Sequence, residues 1–261
     1  RLAEEGILDP PSVDAMGPVF DRIVSDPEKI YTRILEHPDS PLAPVARLKL
    51  AMWRMWKSRF AECLEDIRQF EADYPGHELM PKAREMADKA LGDWIERDLA
   101  NGDFQGVVQN WDSHGHLFEG RDMDPRIRLA TAVALMQTGE TTRALDMAKP
   151  FVFGGLSPGR YAEPALDLLL AVLTDQRRWA DILELAEKAA PWKLGPDRQR
   201  QIDYAQALAL ENLEKHVLAR PLWTRLGTNM DLTDIQRGYA LYFLAKGSMA
   251  GGDLEQANIV A

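Results

Sequence analysis

The residues best equipped for chemistry cluster at 112–124, which read Asp112, Ser113, His114, Gly115, His116, Leu117, Phe118, Glu119, Gly120, Arg121, Asp122, Met123, Asp124. Imidazoles and carboxylates are metal ligands, and two histidines around one glycine could share an ion. A metal site also recruits ligands from a rigid element, and none is evident. The run therefore reads as a polar loop between repeats, closing a short helix, with no metal. Cys63 is the one cysteine, so no internal disulfide is possible and the redox compartment stays open. No His or acid stands in a recognisable relation to it, which favours buried packing over a nucleophile. A Gly-x-Ser-x-Gly elbow, a phosphate-binding loop and a His-Glu-x-x-His pair are all missing from the sequence. No catalytic residue and no cofactor are expected.

Binding chemistry is better represented. Of seven tryptophans, most fall on apolar stripes and read as core. Met52, Trp53, Met55 and Trp56 differ, because they make one helix apolar around more than one face. Such a helix is buried on several sides or meets a partner, and Met and Trp are enriched in interface cores. Arg47, Lys49, Arg54, Lys57 and Arg59 make the same helix locally basic; Arg126 with Arg128, and Arg198 with Arg200, repeat the idea later. A solvated helix face is the plain reading, and an anionic ligand along one inner wall the sharper one. The partner-binding residues expected on this basis are Met52, Trp53, Met55, Trp56, Arg47, Arg54, Arg126 and Arg128.

These residues must be positioned by helices. Strand signals are nearly absent, and apolar positions recur at helical spacing, as in Ala87, Ala90, Leu91, Trp94, Ile95 and in Leu166, Leu169, Leu170, Leu173. A turn signal punctuates them. Gly102-Asp103-Phe104 leads to Val107, Gly139-Glu140 to Ala144, and Gly252-Asp253-Leu254 to Ala257. Degenerate copies run Ser58, Phe60, Cys63; Trp179, Ile182; and His216, Ala219. The anchors Cys63, Val107, Ala144, Ile182, Ala219 and Ala257 are 44, 37, 38, 37 and 38 residues apart. That period marks a repeat array of helical hairpins. A Gly past the first helix can cap it in the left-handed conformation, and a small anchor lets the next helix approach. Pro38, Pro44 and Ala46 recur as Pro75, Pro81 and Ala83; the second Pro of each pair suits a first helical turn.

The expectation is an all-α chain of roughly fourteen helices in about seven antiparallel pairs. Residues 1–27, chopped by Gly and Pro, form an irregular lead-in or the end of an upstream repeat. Residues 28–261 form the array, truncated within its last repeat. The 261 residues are 46% apolar and 28% charged, with net charge −10. Counterion release needs clustered cations, so nucleic acid is not an expected partner, nor is anionic lipid.

The Gly-x4-small signal, the hairpin-closing prolines and the near-37-residue spacing resemble the tetratricopeptide repeat family. The Tyr-Pro then Pro-x-Ala pattern within 28–100 resembles bacterial envelope members, of the outer-membrane assembly lipoprotein and Tol–Pal coordinator type. The resemblance implies a right-handed superhelix whose first helices line a concave groove for a peptide or helix. It also implies a periplasmic or envelope-associated location, with the cytoplasm as the alternative. The aromatic near the start of the first helix is mostly replaced, by Leu166 and Leu241. Asp167 and Ala171 stand where the family's clamp for acidic C-terminal peptides needs Lys and Asn, which disfavours that ligand. The expected function is a non-enzymatic protein-binding scaffold. The alternative is a regulatory or assembly segment of a larger machine or enzyme whose chemistry lies outside this chain.

Overall fold

The computed structural model describes residues 27–120, 122–154, 159–228 and 233–250. Among them are twelve α-helices and no strand, so the protein is all-α. The helices are α1 (Pro27–Leu35), α2 (Ala43–Trp56), α3 (Phe60–Asp73), α4 (Met80–Ala100), α5 (Phe104–His114) and α6 (Pro125–Gln137). They continue as α7 (Thr141–Phe153), α8 (Ala162–Asp175), α9 (Trp179–Ala189), α10 (Pro196–Asn212), α11 (His216–Gly227) and α12 (Asp234–Ala250). A short 3-10 turn, Gly115–Phe118, follows α5. Of the lead-in expected over 1–27, residues 1–26 lie outside the described residues, as does the last turn copy at 252–257, and Pro27 opens α1. Pro44 and Pro81 occupy the first turns of α2 and α4, where a missing N–H costs nothing.

The turn signal is a backbone motif that recurs five times. Ser58, Gly102, Gly139, Arg177 and Glu214 all take left-handed φ, at 56°, 73°, 84°, 55° and 59°. In each case the next residue's N–H bonds a carbonyl five positions back: Arg59 to Arg54 (2.8 Å), Asp103 to Asp98 (2.8 Å), Glu140 to Leu135 (2.8 Å), Arg178 to Leu173 (2.9 Å) and Lys215 to Leu210 (2.8 Å). The left-handed residue itself donates to the carbonyl three back. This pair of bonds is the Schellman cap, which satisfies the orphan carbonyls of the preceding helix. The anchors Cys63, Val107, Ala144, Ile182 and Ala219 are all 0% exposed, and each gives its N–H to the residue four back, opening the next helix. The longer first interval has a local cause. From Ser58 to Gly102 is seven residues more than from Gly102 to Gly139, and the added length is helical: α3 and α4 have 14 and 21 residues against 11 and 13 for α5 and α6, while the connection between the two helices is four residues shorter.

Three of these caps carry a side chain where glycine is favoured, since left-handed backbone costs an ordinary L-residue about 1–2 kcal/mol. Ser58→Gly, Arg177→Gly and Glu214→Gly should each stabilise the fold by about 0.5–1 kcal/mol, read as a raised urea midpoint. Gly102→Ala and Gly139→Ala should lower it by a similar amount. Equal and opposite shifts from the two sets would be the signature of one shared turn.

The chain divides into two compact units, Arg1–Ala134 and Leu135–Ala261, with the boundary inside α6. In the first unit, α1 packs on α2, α2 on α3, α3 on α4 and α4 on α5, and α2 also touches α4. In the second, each helix from α7 to α12 packs on the next, with added contacts of α7 to α9 and α8 to α10. The core follows this neighbour order. Leu50, Leu64, Ile67, Phe70, Leu91 and Ile95 are sealed in the first unit. In the second, Trp223 (1% exposed) packs with Ala207, Leu210, Leu226 and Ala240, flanked by Tyr204 and Phe243.

Candidate functional site

The helix that reads as basic and apolar is α2, held between α1 and α3. Arg54 donates from Nη1 to Asp66 Oδ2 at 2.8 Å and reaches Glu28 of α1 at 3.3 Å. Arg47 lies 3.8 Å from the other oxygen of Asp66 and 3.5 Å from Asp73. Arg59 bonds Glu28 at 2.6 Å and also pairs with Glu62. Three guanidiniums thus meet four carboxylates that come from α1 and α3. Of the two arginines expected to face a partner, Arg54 ties α2 to both α1 and α3, and Arg47 ties it to α3. The Arg59 hydrogen bond holds the carboxyls of Glu28 and Glu62 below the usual range. Asp66, whose side chain is 5% exposed, behaves oppositely: burial pushes it up to about 6, against the pull of Arg54 and Arg47. Beside it Cys63 is pushed up to about 12, by burial first and the Asp66 charge second. Its thiol is neutral and packed.

Of the apolar patch, Met55 belongs to the core at 9% exposure, and Trp56 is 42% exposed. Met52 and Trp53 are half-buried. The two indoles meet edge-on with centroids 6.4 Å apart, and the Lys57 ammonium lies 4.9 Å over Trp53. Met55 leaves the patch because it points inward on a helix covered from two sides. What remains accessible is one aromatic pair with a cationic rim.

The later arginines repeat the tying role. Arg126, at the start of α6, reaches back to Glu96 (3.1 Å) and Asp93 (3.7 Å) on α4. Its guanidinium lies over Gly92, where a Cβ would collide with it. Arg198, in the first turn of α10, makes two 2.8 Å bonds to Asp167 on α8 and pairs with Glu163. Arg200 pairs with Asp197 of its own helix. Arg128 is half-buried on α6. The expected basic wall becomes, at Arg126 and Arg198, a set of ties from one helix to the helix two before it. The 112–124 run is divided by structure: His114 closes α5 with its ring tilted against Trp94 at 5.8 Å, and Trp94 in turn stacks on Phe60 at 6.1 Å. Burial, then the neighbouring His116, lowers the His114 pKa. Among the described residues no three His, Cys, Asp or Glu side chains converge as a metal site would require.

Sequence reasoning missed one groove. It is an open groove of about 640 Å³ in the second unit, walled by α9 and α11 and floored by α10. Leu183 and Ala186 line one wall, Leu218 and Leu222 the other, and Gln199 and Asp203 the floor. Asp203, 4% exposed, accepts from Gln199 at 2.9 Å and pairs with Arg225 at 2.8 Å. Behind α11, Trp223 donates its indole N–H to Glu211 at 3.1 Å, and His216 Nδ1 meets the other Glu211 oxygen at 2.5 Å.

The fold and these surfaces define an all-helical protein with a recurrent capped turn. No family model and no curated protein sequence matches this chain. Among the described residues no helix is long and apolar enough to cross a membrane.

Proposed function

We propose that the protein is a tetratricopeptide-like solenoid of antiparallel helix hairpins, about seven pairs, acting as a non-enzymatic scaffold for a protein partner. The observation that carries this reading is the fivefold return of one Schellman turn followed by a fully buried anchor. A repeat that contacts only its neighbours makes an extended surface rather than an enclosed pocket. Arginine ties between alternate helices support it, because they fix the pitch from one repeat to the next. The partner is a protein segment, and the N-terminal aromatic pair is one contact point, with hot-spot chemistry in Trp53 and Trp56. A bacterial envelope setting follows from the Tyr-Pro and Pro-x-Ala pattern of the early repeats.

The test is cross-linked capture from the native host with full-length protein, using Trp53→Ala/Trp56→Ala as the variant. Trp56 is already 42% exposed. The double variant should therefore cost about 1–3 kcal/mol of stability, keep its helicity and reduce partner recovery at least tenfold. Collapse of helicity would make both residues core. Unchanged recovery would remove α2 from the interface.

A further inference from the structure

Val217 and Leu218 break the pattern of the turn copies. In the other four described copies the two residues before the buried anchor are Ala61 and Glu62, Gln105 and Gly106, Thr142 and Arg143, and Ala180 and Asp181. The first of each pair is exposed and the second half-buried, so small and polar types suit them. Only before Ala219 are both positions large and apolar, and they stand 85% and 61% exposed. Leaving two such side chains in water has no benefit to the fold. Leu218 lines the groove over α10, with Leu222 one turn on and Leu183 opposite.

The α11 side of the groove carries a cation near each end, whereas the acids of the lining, Glu187 and Asp203, lie on α9 and α10. Lys215 and Arg225 are ten residues apart on and beside α11, about 15 Å along a helix. Arg225 is held by the buried Asp203, yet its side chain stays 61% exposed. A guanidinium fixed by one partner and open to water on the rest is ready for a second carboxylate. The trough is open, whereas small-molecule sites enclose most of the ligand. A linear amphipathic segment fits it better, by the helix-in-groove mode.

We propose that the groove between α9 and α11 docks an amphipathic helix of a partner protein, its leucine-type stripe covering Leu218, Leu222 and Leu183 and two acidic residues three turns apart meeting Lys215 and Arg225. This rests on the scaffold reading and gives it a second, distinct contact surface.

The probe is a fluorescein-labelled helical peptide with Leu at i, i+3, i+4 and i+7 and Glu at two flanking positions eleven apart. Its control carries Lys in place of both Glu. Anisotropy with the full chain should show the acidic peptide binding at least tenfold more tightly than the control. Leu218→Asp, at a side chain already in water, should weaken it at least tenfold with an unchanged thermal midpoint, and Leu218→Ser should do so to a lesser degree. Lys215→Glu should narrow the preference for the acidic peptide at least threefold. No binding at millimolar peptide, equal binding of the two peptides, or indifference to Leu218→Asp and Lys215→Glu would each overturn the proposal. The scaffold reading fails separately: a native partner captured equally by wild type and Leu218→Asp removes the groove and leaves the scaffold, whereas a compact particle in solution removes the scaffold.

Discussion

Trp223→Ala should lower stability by about 3–5 kcal/mol, the usual cost of emptying a large buried aromatic site. Trp223 is 1% exposed and stacks on Phe243 at 5.1 Å and edge-on to Tyr204 at 5.8 Å. The truncation also removes an N–H donor from Glu211, whose side chain is 9% exposed, leaving that carboxylate with His216. Both effects act in one direction. Their reach should be local, because in a nearest-neighbour array a lesion is felt mainly by adjacent elements. Hydrogen exchange should therefore speed up across α10, α11 and α12 while the slow amides of α3 and α4 stay slow. Trp223→Phe, which restores part of the volume but not the donor, should recover part of the loss. Equal acceleration in both units would argue for one cooperative globule.

Arg54→Met should cost about 3–5 kcal/mol at pH 8, since it removes the nearer of two cations from a buried carboxylate, leaving it only Arg47 at 3.8 Å, while keeping most of the side-chain stem. The loss should depend on pH in a defined direction. Asp66 titrates at about 6 in the folded protein, above the roughly 3.9 of an unfolded aspartate. The folded state therefore takes up the proton first, and this group's contribution to stability grows as pH falls from about 6 towards about 4. Without Arg54 the pull on the carboxylate weakens and the midpoint climbs further. Most of the deficit should then vanish at pH 5. Glu28 and Glu62 run the other way: held low by Arg59, they contribute above the unfolded value and lose that contribution as pH falls through their folded values. Glu62 is 46% exposed and screened by solvent, and Arg59 still holds both carboxylates in the variant, so the Asp66 slope should dominate the difference between variant and wild type. Urea unfolding at pH 5 and pH 8 measures it, with the Asp66 carboxyl followed by carbon-13 NMR. A deficit independent of pH would show that Arg54 acts through packing alone, and Arg54→Met/Asp66→Leu should then fail to recover stability.

The turn was legible because its chemistry is local. Gly102 and Gly139 signal left-handed backbone by their type, and the buried anchors Val107 and Ala144 follow at fixed distance. Ser58, Arg177 and Glu214 carry no such signal by type; the spacing of Cys63, Ile182 and Ala219 marks their copies, and the backbone shows Arg177 and Glu214 to be the left-handed residues. The long first interval was visible as a number but not as the greater length of both α3 and α4, since apolar periodicity alone does not place a helix end.

The pairing of the arginines was hidden for the opposite reason. Arg54 meets Asp66 twelve residues on and Glu28 twenty-six before, and Arg198 meets Asp167 and Glu163 thirty-one and thirty-five before. A charge run in sequence looks uncompensated when its partners are supplied by neighbouring helices. Met55 likewise followed from how many sides of α2 are covered, which the helix's own sequence does not state. Val217 and Leu218 were readable in principle: aligning the copies on their anchors exposes one apolar pair among polar ones. That comparison matters only once the structure shows those positions to face water.

The most direct measurement for the account as a whole is small-angle X-ray scattering of the full chain. A compact globule of 261 residues would have a radius of gyration of about 18 Å. A hairpin array stacked on one axis should exceed it by about a fifth or more, with an asymmetric distance distribution tailing to long separations. A value near 18 Å with a symmetric distribution would contradict the solenoid, and with it the scaffold.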